Sequence, residues 1–147
     1  MIDMTKSEIE SLLAHTRIGR LAMVGRDLQP YIIPMPFCWL NDYLYLRLPM
    51  EGRKGKILQE NRSVCFEVDW HTESLTDYAS VLIEGALKPV EDIRERKIIQ
   101  DANSQKYLSL RGGYRPGHGR LTALTAIPLQ KIAPVSVSGR KKEPAIS

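Results

Sequence analysis

The chain has 147 residues, 43% of them hydrophobic and 26% charged, and a formal net charge of +4. That length sustains one domain with a core of its own, and the composition argues against a disordered chain. The excess of positive charge suits an anionic ligand but is too small to argue for nucleic acid, and no apolar run approaches the roughly 20 residues that span a bilayer. Thr5-Lys6-Ser7-Glu8 has the form of a capping box, and Ile9, Leu12 and Leu13 follow at helical spacing, so residues 5–15 are predicted to form a short amphipathic helix. Gly19 ends this region. Arg20–Val24 reads as a strand, Gly25-Arg26-Asp27 as a turn and Tyr31–Leu40 as a second strand. Pro34 and Pro36 cannot donate ladder hydrogen bonds, so part of that strand is expected at a sheet edge, a bulge or a site. Asn41-Asp42 looks like a hairpin turn before a third strand, Tyr43–Leu48.

Gly52–Glu60 reads as a short basic helix, with Ile57 and Leu58 facing inward and Asn61 as its stop. Ser63–Trp70 alternates as a strand, 71–78 is a polar loop, and Ala79–Val90 is a further strand with a bulge expected at Gly85. A helix starts at Glu91-Asp92 and runs to about Leu110, with Ile93, Lys97, Ile98 and Ala102 spaced for one face. A glycine-rich loop at 111–119 leads to a strand at 121–127 and a bent continuation at 129–137, split by Pro128 and Pro134. Consecutive strands joined by tight turns argue for antiparallel pairing. The expected class is mainly β with short helices (α+β): a single domain, 1–141, folded as a small closed or nearly closed barrel of six or seven antiparallel strands. Residues 142–147 read as a disordered tail.

The N-terminal stretch is polar and lacks the apolar core of a signal peptide, so a cytoplasmic location is the expectation. Cys38 and Cys65 both fall in apolar strand-like runs and read as two buried thiols in a reducing compartment. His15, His71 and His118 are scattered without zinc-type spacing, which argues against a metal site. His118, Tyr114 and Arg115 in the glycine-rich loop read as solvent-exposed loop residues, with the mouth of a cleft as the other option. Trp39 and Trp70 read as core or interface packing.

The stretch Glu51-Gly52-Arg53-Lys54-Gly55-Lys56 directly follows an apolar strand. A helix N-terminus presents unpaired N–H groups and about half a positive charge. Gly52 permits close backbone approach, the Arg53 guanidinium forks onto phosphate oxygens, and Lys54 adds a point charge. Together they compose a phosphate site. The competing reading is a solvated basic face, but cations in the first turn oppose the helix dipole, and a bound anion resolves that conflict. Tyr31–Phe37, apolar and proline-bearing, offers either a wall for a planar ligand or a core edge strand.

These segments occur in one order and spacing: Gly19-Arg20-Leu21-Ala22, Gln29–Phe37, Leu44-Tyr45-Leu46-Arg47, Glu51-Gly52-Arg53-Lys54, Asn61–Asp69, then Ser80-Val81 with Glu84-Gly85, and Gly139-Arg140-Lys141. The set resembles the pyridoxamine 5'-phosphate oxidase-like flavin-binding split-barrel superfamily, in its branch related to nitroimidazole-resistance nitroreductases, over about residues 5–141. The resemblance implies a homodimer of split β-barrels with FMN in two clefts at the dimer interface. It further implies oxidation or reduction of a small-molecule substrate, with NAD(P)H as a possible electron donor. Arg53 and Lys54, with Gly52, match the motif that holds the flavin phosphate. Pro34, Met35, Pro36 and Phe37 match the strand against the isoalloxazine. Tyr45 and Arg47 match the strand beside the ribityl chain and ring, and Ser80 borders the cleft. Arg47 stands where the family pattern usually has His, which turns the expectation away from nitroimidazole reduction. Its guanidinium either favours anionic reduced flavin or an acidic substrate, or makes a structural ion pair. Pyridoxamine phosphate oxidation is disfavoured, because no second phosphate site is evident. The alternatives are a non-catalytic flavin-storing or flavin-sensing protein, or a haem- or deazaflavin-binding member of the same fold.

Overall fold

The computed structural model describes residues 1–109 and 128–143. In chain order it forms β1 (Ile2–Asp3), α1 (Lys6–His15), β2 (Ile18–Val24), β3 (Pro30–Pro36), β4 (Cys38–Leu40) and β5 (Tyr43–Arg47). There follow α2 (Gly52–Glu60), β6 (Ser63–His71), β7 (Tyr78–Pro89), α3 (Ile93–Ser109) and β8 (Leu129–Lys141). The capping box at the start of α1 is formed: the Glu8 N–H donates to Thr5 Oγ1 at 3.2 Å, and the Thr5 N–H donates to Glu8 Oε1 at 2.9 Å. Asn61 ends α2 by donating its N–H to the Ile57 carbonyl, and Ile57 and Leu58 are buried. The glycine-rich loop, the strand predicted at 121–127, His118, Tyr114 and Arg115 lie outside the described residues, as do residues 144–147.

All pairings are antiparallel, in the order β3-β2-β6-β7-β8-β5-β4, with β1 added to β8. The two end strands, β3 and β4, are neighbours in sequence, joined only by Phe37. The sheet therefore curls until its ends meet at one residue, which makes it a split barrel. The predicted strand Tyr31–Leu40 is two strands at opposite ends of the sheet. Its prolines explain the break. Pro30, Pro34 and Pro36 pair with Val24, Arg20 and Ile18, at alternate positions of the ladder. Lacking N–H groups, they leave the β2 ladder to Tyr31, Ile33 and Met35 and strip the free edge of donors except at Ile32. No further strand can extend from such an edge, and the chain turns to pair with β5 instead.

The Leu40–Tyr43 hairpin turns through Asn41 and Asp42, both at positive φ (53° and 63°), the backbone of a two-residue primed turn. The β7–β8 ladder shifts register between Glu84 and Gly85, as expected. The barrel interior is filled by Leu21, Met23, Met35, Leu44, Leu46, Phe66, Val68, Val81, Ile83 and Ile132, with Leu13 and Leu58 closing it from α1 and α2. A second cluster, Cys38, Tyr45, Val90, Ile99 and Leu129, lies beneath α3.

Four expectations are corrected. Gly19 does not end the first region but sits within β2, where a Cβ would lie 2.3 Å from the Phe66 ring. Cys65 is only half-buried, because its side chain lies on the outer face of β6. On α3 the buried apolar contact is Ile99, while Ile93 and Ile98 are 72% and 55% exposed. The apolar spacing misled because the inward stripe of that helix continues through Lys106 and Tyr107. Finally, β8 is continuous to Lys141, and Gly139 allows its close approach to Met4 and Ile9.

Candidate functional site

The basic stretch forms the first turn of α2. Glu51 occupies the N-cap position without a capping hydrogen bond from its side chain, and the first turn holds no acidic residue. The N–H groups of that turn thus have no side-chain cap and stand among Arg53, Lys54 and Lys56, with the exposed Glu51 side chain at the N-cap turned to no N–H, an arrangement that complements an anion. Gly52 has φ +73°, and apart from its chain neighbours and the backbone of its own helix nothing lies within 4 Å of where its Cβ would be, so the turn opens onto free space. The Arg53 guanidinium carbon sits 4.4 Å from the centroid of the Tyr31 ring, a cation–π contact that joins α2 to β3. Lys54 Nζ folds back 3.3 Å to the Glu51 carbonyl. The packing that aims this helix depends on Gly55, whose Cβ would stand 1.8 Å from the Met50 carbonyl oxygen. From the sequence Tyr31 entered only as the start of a wall for a planar ligand, not as a partner of Arg53, and Gly55 was not singled out for the site, although a glycine inside a helix was a visible sign of close approach.

β3 runs away from this cationic end. From Tyr31 to Pro36 it spans about 17 Å at the rise of an extended chain. Pro34 and Pro36 are exposed on the outer face, but Met35 and Phe37 are 7% and 1% exposed. Their side chains belong to the core, and Phe37 packs edge-on against Phe66 at 5.2 Å. Phe37 is also held through its backbone. Its N–H donates to the Tyr107 hydroxyl at 2.9 Å, which has the Arg17 and Phe37 carbonyls at 2.8 and 2.9 Å. Lys106 Nζ donates to the Phe37 and Leu13 carbonyls at 3.0 and 3.1 Å and lies 3.6 Å from the centroid of the Phe37 ring. Burial pushes the Lys106 ammonium down to about 8.

The structure sets Tyr45 and Arg47 on a different face from the interior residues Leu44 and Leu46. Tyr45 turns under α3, where its hydroxyl donates to Glu95 Oε2 at 2.7 Å, and Lys131 Nζ pairs with the same oxygen at 2.9 Å. Burial, and then the Glu95 carboxylate, raise the Tyr45 phenol well above its ordinary value. Burial alone would raise the Glu95 carboxyl, but Lys131 and Tyr45 hold it below the usual range. Arg47 is exposed at the end of β5, opposite Leu129.

Ser80 is brought to the same outer face as Pro34. One row across the sheet reads Pro34, Arg20, Glu67, Leu82, Ser138, and the next places Asp69 opposite Ser80 and Ser80 opposite Arg140. Between the two candidate positions lies a charged group that sequence reading missed. Arg20 Nη1 is 3.0 Å from Asp69 Oδ2 and 3.6 Å from Glu67 Oε2. Glu67 Oε1 is shielded from water and has no hydrogen-bond partner. Burial, and then the neighbouring Asp69, push the Glu67 carboxyl up to about 7 against the pull of Arg20. The alternation of β6 already set Glu67 and Asp69 on one face, but could not show that Arg20 meets them from β2. Among the described residues no helix is long and apolar enough to cross a membrane.

No curated protein matches the sequence. Solved structures match along nearly its whole length. A candidate 5-nitroimidazole antibiotic resistance protein of Bacteroides thetaiotaomicron is 23% identical with a TM-score of 0.72, covering 97% of this chain and 90% of its own. An FAD-binding protein of Mesorhizobium loti is 24% identical with a TM-score of 0.70, covering 97% and 98%. An FAD- and haem-binding protein of Mycobacterium smegmatis is 17% identical with a TM-score of 0.72, covering 95% and 72%. At these identities the likeness establishes the split-barrel fold. Residues 5–141 match the sequence profile described as pyridoxamine 5'-phosphate oxidase, and the chain thus belongs to the pyridoxamine 5'-phosphate oxidase-like family.

Proposed function

We propose that this chain is a flavin-dependent oxidoreductase that holds FMN at a homodimer interface and either reduces a small molecule, with NAD(P)H as electron donor, or oxidises a small molecule that is itself the electron donor. The observation that carries this reading is the first turn of α2: uncapped, without an acidic residue, crowded with cations and open at Gly52. A dianionic phosphate fits that donor set, because it takes the outward N–H groups and both side-chain charges at once. Arg53 is already oriented by Tyr31. Lys54 has only a carbonyl contact to give up. The proline-bearing edge of β3 leads away over a length that suits an extended ribityl chain and ring, with exposed Pro34 and Pro36 at its far end. Met35 contributes backbone rather than side chain there. Ser80 borders the cleft from the outer face, and Arg47 supplies positive charge toward an acidic substrate or reduced flavin. When bound, the flavin supplies hydride and electron transfer, and the chain's own residues anchor it, orient it and limit solvent access. The relatives described as FAD-binding support a flavin, and the motif's single phosphate anchor favours FMN.

Fluorescence titration with FMN tests this. Replacing Arg53 and Lys54 together by Ala should weaken binding by about 100-fold, from two lost charge-assisted contacts, with a small change in thermal stability. Unchanged affinity would remove the phosphate assignment. Haem is the second reading, because one structural relative is described as binding FAD and haem. The visible spectrum of the purified protein separates the two: bands near about 375 and 450 nm report oxidised flavin, and an intense Soret band reports haem.

A further inference from the structure

We propose that Tyr31 is a positioning residue for the phosphate anchor: its ring holds the Arg53 guanidinium in place before a ligand arrives, and thereby sets how strongly the site prefers a phosphorylated flavin to an unphosphorylated one. The inference rests on the phosphate assignment above and adds to it the residue that prepares it. Arg53 is exposed on the first turn of α2, yet its guanidinium carbon lies over the Tyr31 ring, 4.4 Å from the centroid. Among the described residues no hydrogen bond or ion pair engages that guanidinium, so the ring is what fixes it. An aromatic face attracts the cation through the quadrupole of the ring and takes none of its hydrogen-bond donors. The N–H groups lie in the guanidinium plane and stay available at its edge, where two of them meet a pair of phosphate oxygens.

Tyr31 suits this task because it does not move with the turn it serves. It lies on β3 opposite Met23 of β2, half-buried, and packs against the barrel core. The helix α2 is itself placed by other contacts. Glu60 Oε2 accepts from the Arg26 N–H at 2.7 Å, and Asn61 Nδ2 donates to the Val24 carbonyl at 3.1 Å, so the far end of α2 is tied to the β2–β3 hairpin. Ile57 and Leu58 bury its inner side. Removing the ring therefore releases one side chain and leaves the helix where it is. A released Arg53 samples many rotamers and loses that freedom when phosphate binds, a cost that the ring has already removed. Lys54 lacks such a support, since its Nζ rests only on the Glu51 carbonyl beside its own turn. The ring acts through Arg53 alone, so a flavin without phosphate gains nothing from it.

The test is fluorescence titration of the full chain with FMN and with riboflavin, which lacks the phosphate. Tyr31→Leu should weaken FMN binding about five- to tenfold, the cost of ordering one long side chain, and leave riboflavin affinity within about twofold. Tyr31→Phe keeps the aromatic face and should bind FMN as the wild type does. In an Arg53→Ala background Tyr31→Leu should have no further effect, because nothing is left to position. Equal losses for FMN and riboflavin, a loss that persists without Arg53, or a Tyr31→Phe variant as weak as Tyr31→Leu each overturn the inference. Unchanged FMN affinity in Tyr31→Leu, with the joint replacement of Arg53 and Lys54 still damaging, overturns it and leaves the phosphate assignment standing. If neither replacement alters FMN affinity, both fall. Nuclear magnetic resonance checks the preset position without any variant of Tyr31: in the flavin-free full chain the Arg53 side-chain protons should be shifted upfield by the ring current, and the shifts of an ordinary solvated arginine overturn the inference.

Discussion

A Cβ at Gly55 would stand 1.8 Å from one backbone oxygen and 2.6 Å from its carbon, both of Met50. Backbone cannot swing aside as a side-chain tip can. In an exposed helix Gly→Ala would stabilise by about 1 kcal/mol. Here the clash should dominate, and Gly55→Ala is expected to destabilise by about 2 kcal/mol or more in urea unfolding and to loosen FMN binding by shifting α2. A variant as stable as wild type would mean that α2 can move away from Met50 cheaply. Gly52 is the opposite case, with open space around it and a positive φ as its only demand. Gly52 and the cations that follow it were legible as a turn suited to an anion. What they pack against was not, because Tyr31 reaches the turn from β3 and the closeness of the Met50 carbonyl depends on how sharply the chain bends into α2.

At the scale of elements, local signals worked where the partner was local. The Thr5 capping box is made within four residues, and Thr5→Ala should cost about 1 kcal/mol in thermal or chemical unfolding, with α1 fraying from its N-terminus in hydrogen exchange. The Asn41-Asp42 turn and the Asn61 stop follow the same logic. α3 shows where it fails. Asp92 caps it, accepting from the N–H groups of Arg94 and Glu95 at 2.8 and 3.1 Å. Yet its inward side carries Ile99 with Lys106 and Tyr107, which hydrophobic spacing does not count. Polar residues become interior when carbonyls wait for them, and those carbonyls belong to α1 and to the bend between β3 and β4. A continuous strand was likewise expected across that bend, because the apolar run of Met35–Leu40 hides the change of neighbour.

The whole molecule depends on that bend, since it is where the sheet closes. Tyr107 ties the closure to α3 and, through the Arg17 carbonyl, to the segment between α1 and β2. Tyr107→Phe removes a hydroxyl that serves one donor and faces two acceptors, and leaves the Phe37 N–H unsatisfied. A loss of about 1–3 kcal/mol is expected, with faster amide exchange at Phe37. Unchanged exchange at Phe37 would show that Lys106 alone holds the closure.

The amino-acid sequence by itself determined the helix caps, the alternation of the strands, the antiparallel class and the cationic turn after β5, because each rests on residues within a few positions of one another. Tertiary structure alone decided that β3 and β4 occupy opposite ends of one sheet, that Arg53 stacks on Tyr31, and that Arg20 meets Glu67 and Asp69. Those contacts join residues far apart in the chain. Their geometry follows from sheet register and curvature, which are settled only when the whole barrel closes around its core.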